Sequence, residues 1–312
     1  MKILVTGAGG FVGEYLVREL MSRKHDIVAI GLHTSAFLKK NNIPMYKANI
    51  LDFEAIKLCL KKERPDGIIH LAAQSNVQAS WDKPTLTVDV NVNGTINVLK
   101  AIAEVYPQTR FLNIGSSDEY GITAKVGKPL TEDMVCLPQN PYSISKLCAE
   151  QMVLQLGKKY NVNVIHVRPF NHFGPGQQIG FVISDFSSQI ANIEKGKIEP
   201  VLRVGDLSSC RDFTFVKDVV RAYVLLIESN RAVGVYNICS GKAQSIEGIL
   251  QKLVGLSNLN IQIKKDEKKF RPVEVPFFVG CTDKLKSVIN WQIEDDFETN
   301  LAKTLVWWRK QL

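Results

Sequence analysis

Nowhere in the sequence does an apolar run approach the ~20 residues that span a bilayer, which excludes a membrane-crossing helix. No leader segment is expected either, because a strand-like run, Lys2 to Thr6, opens the chain and a glycine loop follows. Cysteine is sparse and unpatterned. Cys59, Cys136, Cys148, Cys210, Cys239 and Cys281 form no CxxC pair, and no Cys/His cluster has zinc spacing. Neither a disulfide scaffold nor a metal centre is expected, and the reading is reduced thiols in a cytoplasmic chain. There is no internal repeat, no low-complexity tract, no zinc finger and no aromatic-basic RNA motif. With 312 residues and 45% apolar content, the chain can bury a sizeable core without staples. Its formal net charge is +8. A solvated lysine-rich surface, as in Lys264 to Lys269, is the structural reading. The functional one is attraction of anions, with phosphorylated small molecules favoured over nucleic acid.

What is there is alternation. Strands are predicted at Lys2–Thr6, Ile27–Gly31, Met45–Ala48, Gly67–His70, Arg110–Gly115 and Asn163–Arg168. Helical patterns lie between them at Phe11–Ser22, Asp52–Lys62, Leu86–Tyr106 and Pro141–Tyr160. This predicts an α/β fold, a doubly wound parallel sheet of the Rossmann type, with its ligand at the carboxyl ends of the strands. After Arg168 the texture changes. Pro169 to Gly180 reads as an ordered loop, Phe181–Lys195 as a helix, Arg203 to Asp212 as a charged loop and Lys217–Ser229 as a helix. Val235–Cys239 reads as a strand returning to the first sheet, and Ser245 as the N-cap of a helix to Val254. The expected division is a domain of 1–170 with about 213–240. A smaller lobe takes 171–212 and 241–312.

VTGAGGFVG, Val5 to Gly13, places Gly7, Gly10 and Gly13 in a GxxGxxG variant of the dinucleotide fingerprint. The glycines allow a tight turn and close approach of backbone to pyrophosphate, and the helix from Phe11 and Val12 aims its amino end at the phosphates. An acid at the end of the second strand would hold the adenosine ribose of NAD. Here Gly31 to Ser35 read GLHTS, without an acid. His33, Thr34 and Ser35 offer donors to a 2′-phosphate, which favours NADP(H), with NAD(H) as the alternative. Asn49 and Ile50 either border the adenine or, for the asparagine, cap a turn.

PYSISK sets Tyr142 and Lys146 four apart, on one face of a helix. A free phenol titrates near pH ~10, so it needs help to work as an acid-base group at neutral pH. A neighbouring ammonium favours the phenolate, and the expectation is a Tyr142 pKa lowered by Lys146. Upstream lies GSSDEYG, Gly115 to Gly121, with two hydroxyls beside two acids.

TGAGGFVG, HLAAQS, NVNGTINVL, GSSDEYG and YSISK occur in that order. Together they resemble the extended short-chain dehydrogenase/reductases that act on nucleotide sugars. RPFNHFGPGQ (Arg168 to Gln177), VGDLSSCRDFTFVKD (Val204 to Asp218) and FRPVEV (Phe270 to Val275) resemble the branch that handles GDP-hexoses. That branch holds 4,6-dehydratases and 4-keto-6-deoxyhexose reductases. The similarity covers nearly the whole chain and leans to the reductases. It implies Ser116 as the hydroxyl that meets the sugar O4, Tyr142 as proton donor, and Lys146 as holder of Tyr142 and the nicotinamide ribose. It implies Leu71, Ala72 and Ala73 at the cofactor. Gln74, Ser75, Asn91, Ser117 and Asn171 fall to the substrate. Arg211 and Arg271 fall to its diphosphate and Glu274 to its nucleoside, guanidinium groups pairing well with phosphates. A homodimer is implied as well, with the helices at Leu86–Tyr106 and Pro141–Tyr160 paired across a two-fold axis or, equally, serving as core.

Within the family, a dehydratase needs an extra carboxylate to act at C5, usually a glutamate where this chain has Asp118. Aspartate is shorter by one methylene, ~1.5 Å of reach, and a misplacement of ~1 Å can cost about a hundredfold in rate. Glu119, read as the next residue of a strand, points to the other face. The expectation is therefore an NAD(P)H-dependent reductase that turns GDP-4-keto-6-deoxy-D-mannose into GDP-D-rhamnose. A 4,6-dehydratase or 4-epimerase with retained cofactor is the alternative, and a non-catalytic dinucleotide-binding protein is the third reading. Asp118 is retained as a candidate catalytic group.

Overall fold

The computed structural model describes residues 1–269 and 275–312. The chain opens with β1 (Lys2–Thr6), α1 (Phe11–Ser22), β2 (Asp26–Gly31), α2 (Ala36–Lys40), β3 (Met45–Lys47), α3 (Phe53–Glu63) and β4 (Gly67–His70). Two short helices follow, α4 (Val77–Asp82) and α5 (Pro84–Val88), then a π-helical turn over Asp89–Asn93 that runs into α6 (Gly94–Val105). The single helix expected over Leu86–Tyr106 is therefore found as α5, a π-helical turn and α6 in succession. Pro84 restricts Lys83 to φ −134°, ψ 63°, which separates α4 from α5. The first half ends with β5 (Arg110–Ile114), α7 (Pro141–Tyr160) and β6 (Val164–Pro169). Helix α7 starts where the sequence dictates. Asn140 accepts from the Ser143 amide at 2.8 Å, and Pro141 fills the first turn, where no amide is needed.

The second half contributes β7 (Asn171–Phe173), α8 (Val182–Glu194), β8 (Val201–Val204), β9 (Cys210–Phe215), α9 (Val216–Glu228), β10 (Gly234–Ile238), β11 (Ala243–Ser245), α10 (Ile246–Val254), β12 (Gln262–Lys265), β13 (Phe277–Phe278), α11 (Asp283–Val288) and α12 (Phe297–Gln311). Strands β7 and β9 lie partly in stretches expected to be loops. Both are short pairings of a small sheet, β11-β9-β13 with β7 on β9. Helix α12 was not expected. Its buried face mixes Asn300 and Thr304 with Leu301 and Leu305, which blurs the apolar period.

One seven-stranded sheet has the order β10-β6-β5-β4-β1-β2-β3, with every pair parallel. Successive β1 residues serve opposite faces. Ile3 and Val5 pack with α1 and α9, whereas Leu4 packs with α3 and α6. Strand order reverses between β1 and β4, which opens the crevice where ligands of such sheets bind. A separate apolar cluster under α8, α10 and α12 supports the remaining segments. No described helix is long and apolar enough to cross a membrane.

Candidate active site

The glycine loop sits at the crevice. Gly7 has φ +72°, and a Cβ there would lie 2.9 Å from the Ala72 amide nitrogen. A Cβ on Gly13 would lie 2.5 Å from two backbone oxygens, so only glycine lets α1 pack on the turn. Gly10 is the N-cap of α1 and no side chain caps it, which leaves amides of the first turn, beginning at Phe11 and Val12, open to a ligand. Loop and second half are joined here. The Phe11 ring stacks on His172 at 6.4 Å, and the Tyr15 hydroxyl donates to the Pro175 carbonyl at 2.8 Å.

Strand β2 ends at Gly31 without an acid. His33 and Thr34 are exposed, whereas the Ser35 hydroxyl accepts from the Leu38 amide at 3.3 Å as the cap of α2. Asn49 accepts from the Leu51 amide at 3.0 Å, so the turn-capping reading describes it. Ile50 is buried against Gly94. Leu71, Ala72 and Ala73 follow β4, where the Thr6 hydroxyl accepts from the Ala72 amide at 3.1 Å.

Asn91 and Gln74, both expected at the substrate, hydrogen-bond each other. Asn91 is 1% exposed. Its Oδ1 accepts from the Gln74 amide at 2.8 Å, and its Nδ2 donates to the Gln74 carbonyl and to Ser145 Oγ. The Gln74 side chain donates to Thr87 at 3.0 Å and accepts from the Asn76 amide. The pair ties the turn after β4 to α7 and keeps no idle polar group at its centre. Ser75, beside them, is exposed.

GSSDEYG separates into different fates. The residues after β5 form a 3₁₀ turn, Ser117–Tyr120, and not a continuation of the strand. Ser116 caps it, its hydroxyl accepting from the Asp118 amide at 3.1 Å and acting on the Tyr142 phenol nearby. Ser117 is buried. Asp118 remains partly exposed, and its charge bears on Tyr142. Glu119 turns inward and is fully buried, so it parts from Asp118 through the twist of the turn, not through strand alternation. Tyr120 is core, its hydroxyl donating to Asn237 Oδ1 at 2.8 Å.

Tyr142 and Lys146 leave the first turns of α7 towards this turn. Lys146 is 7% exposed and its Nζ donates to the Ile114 carbonyl at 2.7 Å. Burial pulls its pKa down to about 8, while the Glu119 carboxylate opposes that pull. Tyr142 departs from expectation. Desolvation pushes its phenol above the ordinary range, the Asp118 charge adds to the rise, and the Ser116 hydroxyl opposes it. The lowering expected from Lys146 is not the outcome, because loss of solvent dominates the phenol.

Behind these residues lies a buried polar frame that the sequence reading missed. Arg168 Nε donates to Glu119 Oε2 at 3.0 Å and to Glu150 Oε2 at 2.9 Å, and its Nη2 donates to Glu150 Oε1 at 2.7 Å. His166 Nε2 lies 3.1 Å from Glu150 Oε2 and 3.3 Å from Glu119 Oε1. The signal was present: His166 and Arg168 are two polar residues at spacing two in an apolar strand, and Glu150 follows Lys146 by one helical turn. The two carboxylates and the imidazole are close enough to share a cation, but the guanidinium already bridges both carboxylates.

Asn171 is exposed on β7, paired with Phe213 of β9. Arg211 lies on β9, and its Nη1 donates to the Cys210 and Val275 carbonyls at 2.9 and 2.6 Å. Asp212, the next residue, accepts from Ser240 and Gly241. Arg271 and Glu274 lie outside the described residues.

The sequence profile described as GDP-mannose 4,6 dehydratase matches residues 4–304. GDP-6-deoxy-D-mannose reductase of Pseudomonas aeruginosa is 34% identical over 312 residues, covering 100% of this chain and 98% of the relative. GDP-6-deoxy-D-talose 4-dehydrogenase of Aggregatibacter actinomycetemcomitans is 32% identical, covering 93% and 91%. The solved structure of RMD from Pseudomonas aeruginosa complexed with NADPH has a TM-score of 0.89 at 32% identity, covering 100% of this chain and 99% of that one. The doubly wound sheet and the family resemblance read from the motifs both hold, and the chain belongs to the GDP-mannose 4,6 dehydratase family.

Proposed function

We propose that the chain reduces the C4 ketone of GDP-4-keto-6-deoxy-D-mannose to GDP-D-rhamnose, with NADPH as the favoured donor and NADH as the alternative. The observation that carries this reading is the meeting of Ser116 and Tyr142 at the carboxyl end of β5, beside the buried Lys146. The glycine cradle fits a dinucleotide, since any Cβ at Gly7 or Gly13 would collide with backbone. The lack of an acid at the end of β2, with His33 and Thr34 exposed beyond it, suits a 2′-phosphate. When bound, NADPH supplies the hydride that reduces C4. Ser116 donates a hydrogen bond to the ketone oxygen, and Tyr142 gives that oxygen its proton. A high phenol pKa suits a donor that must arrive protonated. The cost is the phenolate left behind, which a charged Lys146 on the same helix face offsets.

The reductase reading is favoured over dehydration by Asp118, which stands where the family's C5 carboxylate is usually a glutamate. It is also favoured by the 34% identity to the GDP-6-deoxy-D-mannose reductase and 32% to the GDP-6-deoxy-D-talose 4-dehydrogenase, against 29% for the dTDP-glucose 4,6-dehydratase of Haemophilus influenzae and 25% for the GDP-mannose 4,6-dehydratase of Vibrio cholerae. Residues 1–170 with about 213–240 form the dinucleotide domain in this reading. Residues 171–212 and 241–312 hold the GDP-sugar, with Asn171 and Arg211 among its contacts. The test follows loss of NADPH absorbance with the keto sugar. Tyr142→Phe is expected to lower kcat by about 10²–10⁴-fold. Undiminished turnover in that variant, or turnover of GDP-mannose without added reductant, would overturn the proposal.

We also propose a homodimer. Trp81 on α4, Leu86 and Val88 on α5, and Ile144 and Met152 on α7 are exposed apolar side chains on mutually packed helices, which suits cover by a second copy.

A further inference from the structure

The turn that presents Ser116 is held from two sides. Lys146 Nζ donates to the carbonyl of Ile114 at 2.7 Å, and Glu119 Oε1 accepts from the amide of Ser116 at 2.8 Å. Gly115 lies between them. A Cβ there would stand 2.2 Å from His166 Nε2 and 2.3 Å from Glu119 Oε1, so the glycine exists to let the carboxylate and the imidazole reach the strand end. The Ser116 hydroxyl and the Glu119 carboxylate form a reciprocal capping box, which couples the direction of that hydroxyl to the carboxylate.

The charges around Glu119 do not balance among themselves. Glu150 approaches from α7, and His166 and Arg168 approach from β6. Asn113 Nδ2 is 3.0 Å from His166 Nδ1, so that nitrogen accepts and Nε2 carries the proton. Burial pulls the His166 pKa down to about 3, which keeps the ring neutral. Burial raises the pKa of both carboxylates, and the Arg168 guanidinium held between them opposes that rise; with both ionised, two carboxylates share one guanidinium and one negative charge is left over within the frame. Asp118 lies on the outer side of the turn, at Tyr142. Across the strand end stands Lys146, buried and, among the described residues, hydrogen-bonded to a carbonyl. The Glu119 carboxylate opposes its loss of charge.

We propose that Glu119 is a positioning residue of this site: its carboxylate fixes the turn that aims Ser116 at Tyr142 and supplies the buried negative charge that keeps Lys146 an ammonium. The proposal rests on the reductase reading for its catalytic consequence. Arg168 and Glu150 are the frame that keeps this carboxylate in place without fully neutralising it.

Glu119→Gln tests the charge while keeping an oxygen for the Ser116 amide. Competitive acylation of Lys146, read by peptide mass spectrometry across pH, should show its amine pKa lowered by about one unit or more, the low end for loss of a nearby opposite charge. The alkaline limb of kcat/KM should move down by the same amount. Above the limb that is about a tenfold loss, with activity below it largely kept. Glu119→Val, which removes the clamp as well, should lower kcat at every pH. An unchanged labelling pKa and an unmoved limb in folded Glu119→Gln would overturn the proposal. Because labelling needs no turnover, a lowered amine pKa in a protein that reduces no keto sugar would overturn the reductase reading while upholding the pairing. Should Glu119→Gln fail to fold, carboxyl ¹³C NMR of the wild-type protein decides. Glu119 ionised through neutral pH supports the proposal, and a protonated Glu119 overturns it.

Discussion

At the scale of single residues, burial sets the chemistry of the site more than proximity does. The sequence places an ammonium four residues after a phenol, and that spacing alone argues for an acidified tyrosine. In the fold both groups lose solvent, so Tyr142 is pushed up and Lys146 is pulled down to about 8. The amine is charged below its pKa and neutral above it. If the ammonium offsets the phenolate formed in reduction, kcat/KM falls as pH rises through about 8. A pH profile of keto-sugar reduction checks this. A plateau that extends up to the ordinary lysine range, near ~10.4, would contradict it.

At the scale of elements, the sheet and its crossover helices were legible because they follow strong rules. The apolar runs, the glycine turn and the Asn140–Pro141 helix start each have a local cause, and β1, α1, β4 and α7 lie where the pattern puts them. What was not legible depends on distant partners. Strand β7 is a strand only because it finds β9 across the sequence, and β9 because it finds β7, β11 and β13. The Glu119–Glu150–His166–Arg168 frame assembles from a turn, a helix and a strand, and no local pattern ranks such a set above surface charge. For the same reason the bonds of Asn91 to Gln74 and Ser145 were not legible from its motif. The exposed apolar faces of α4, α5 and α7 carry a separate expectation. Ile144→Asp should convert a dimer to a monomer in sedimentation analysis, because a charge directed into an apolar interface is left unpaired. A wild-type protein that sediments as a monomer would rule the interface out.

At the scale of the whole molecule, the two halves of the chain meet where the chemistry is expected. The loop after β7 rests on the start of α1 through Phe11, His172, Tyr15 and Pro175, so the segment with Asn171 runs beside the glycine cradle. A net charge of +8 suits a protein whose proposed ligands are both diphosphates. The most direct measurement is transfer of label from C4-deuterated NADPH to GDP-4-keto-6-deoxy-D-mannose, read by mass spectrometry and NMR of the product. The account predicts one deuterium, at sugar C4, in a product with the rhamno configuration. A product without deuterium, or label found at C6, would contradict it.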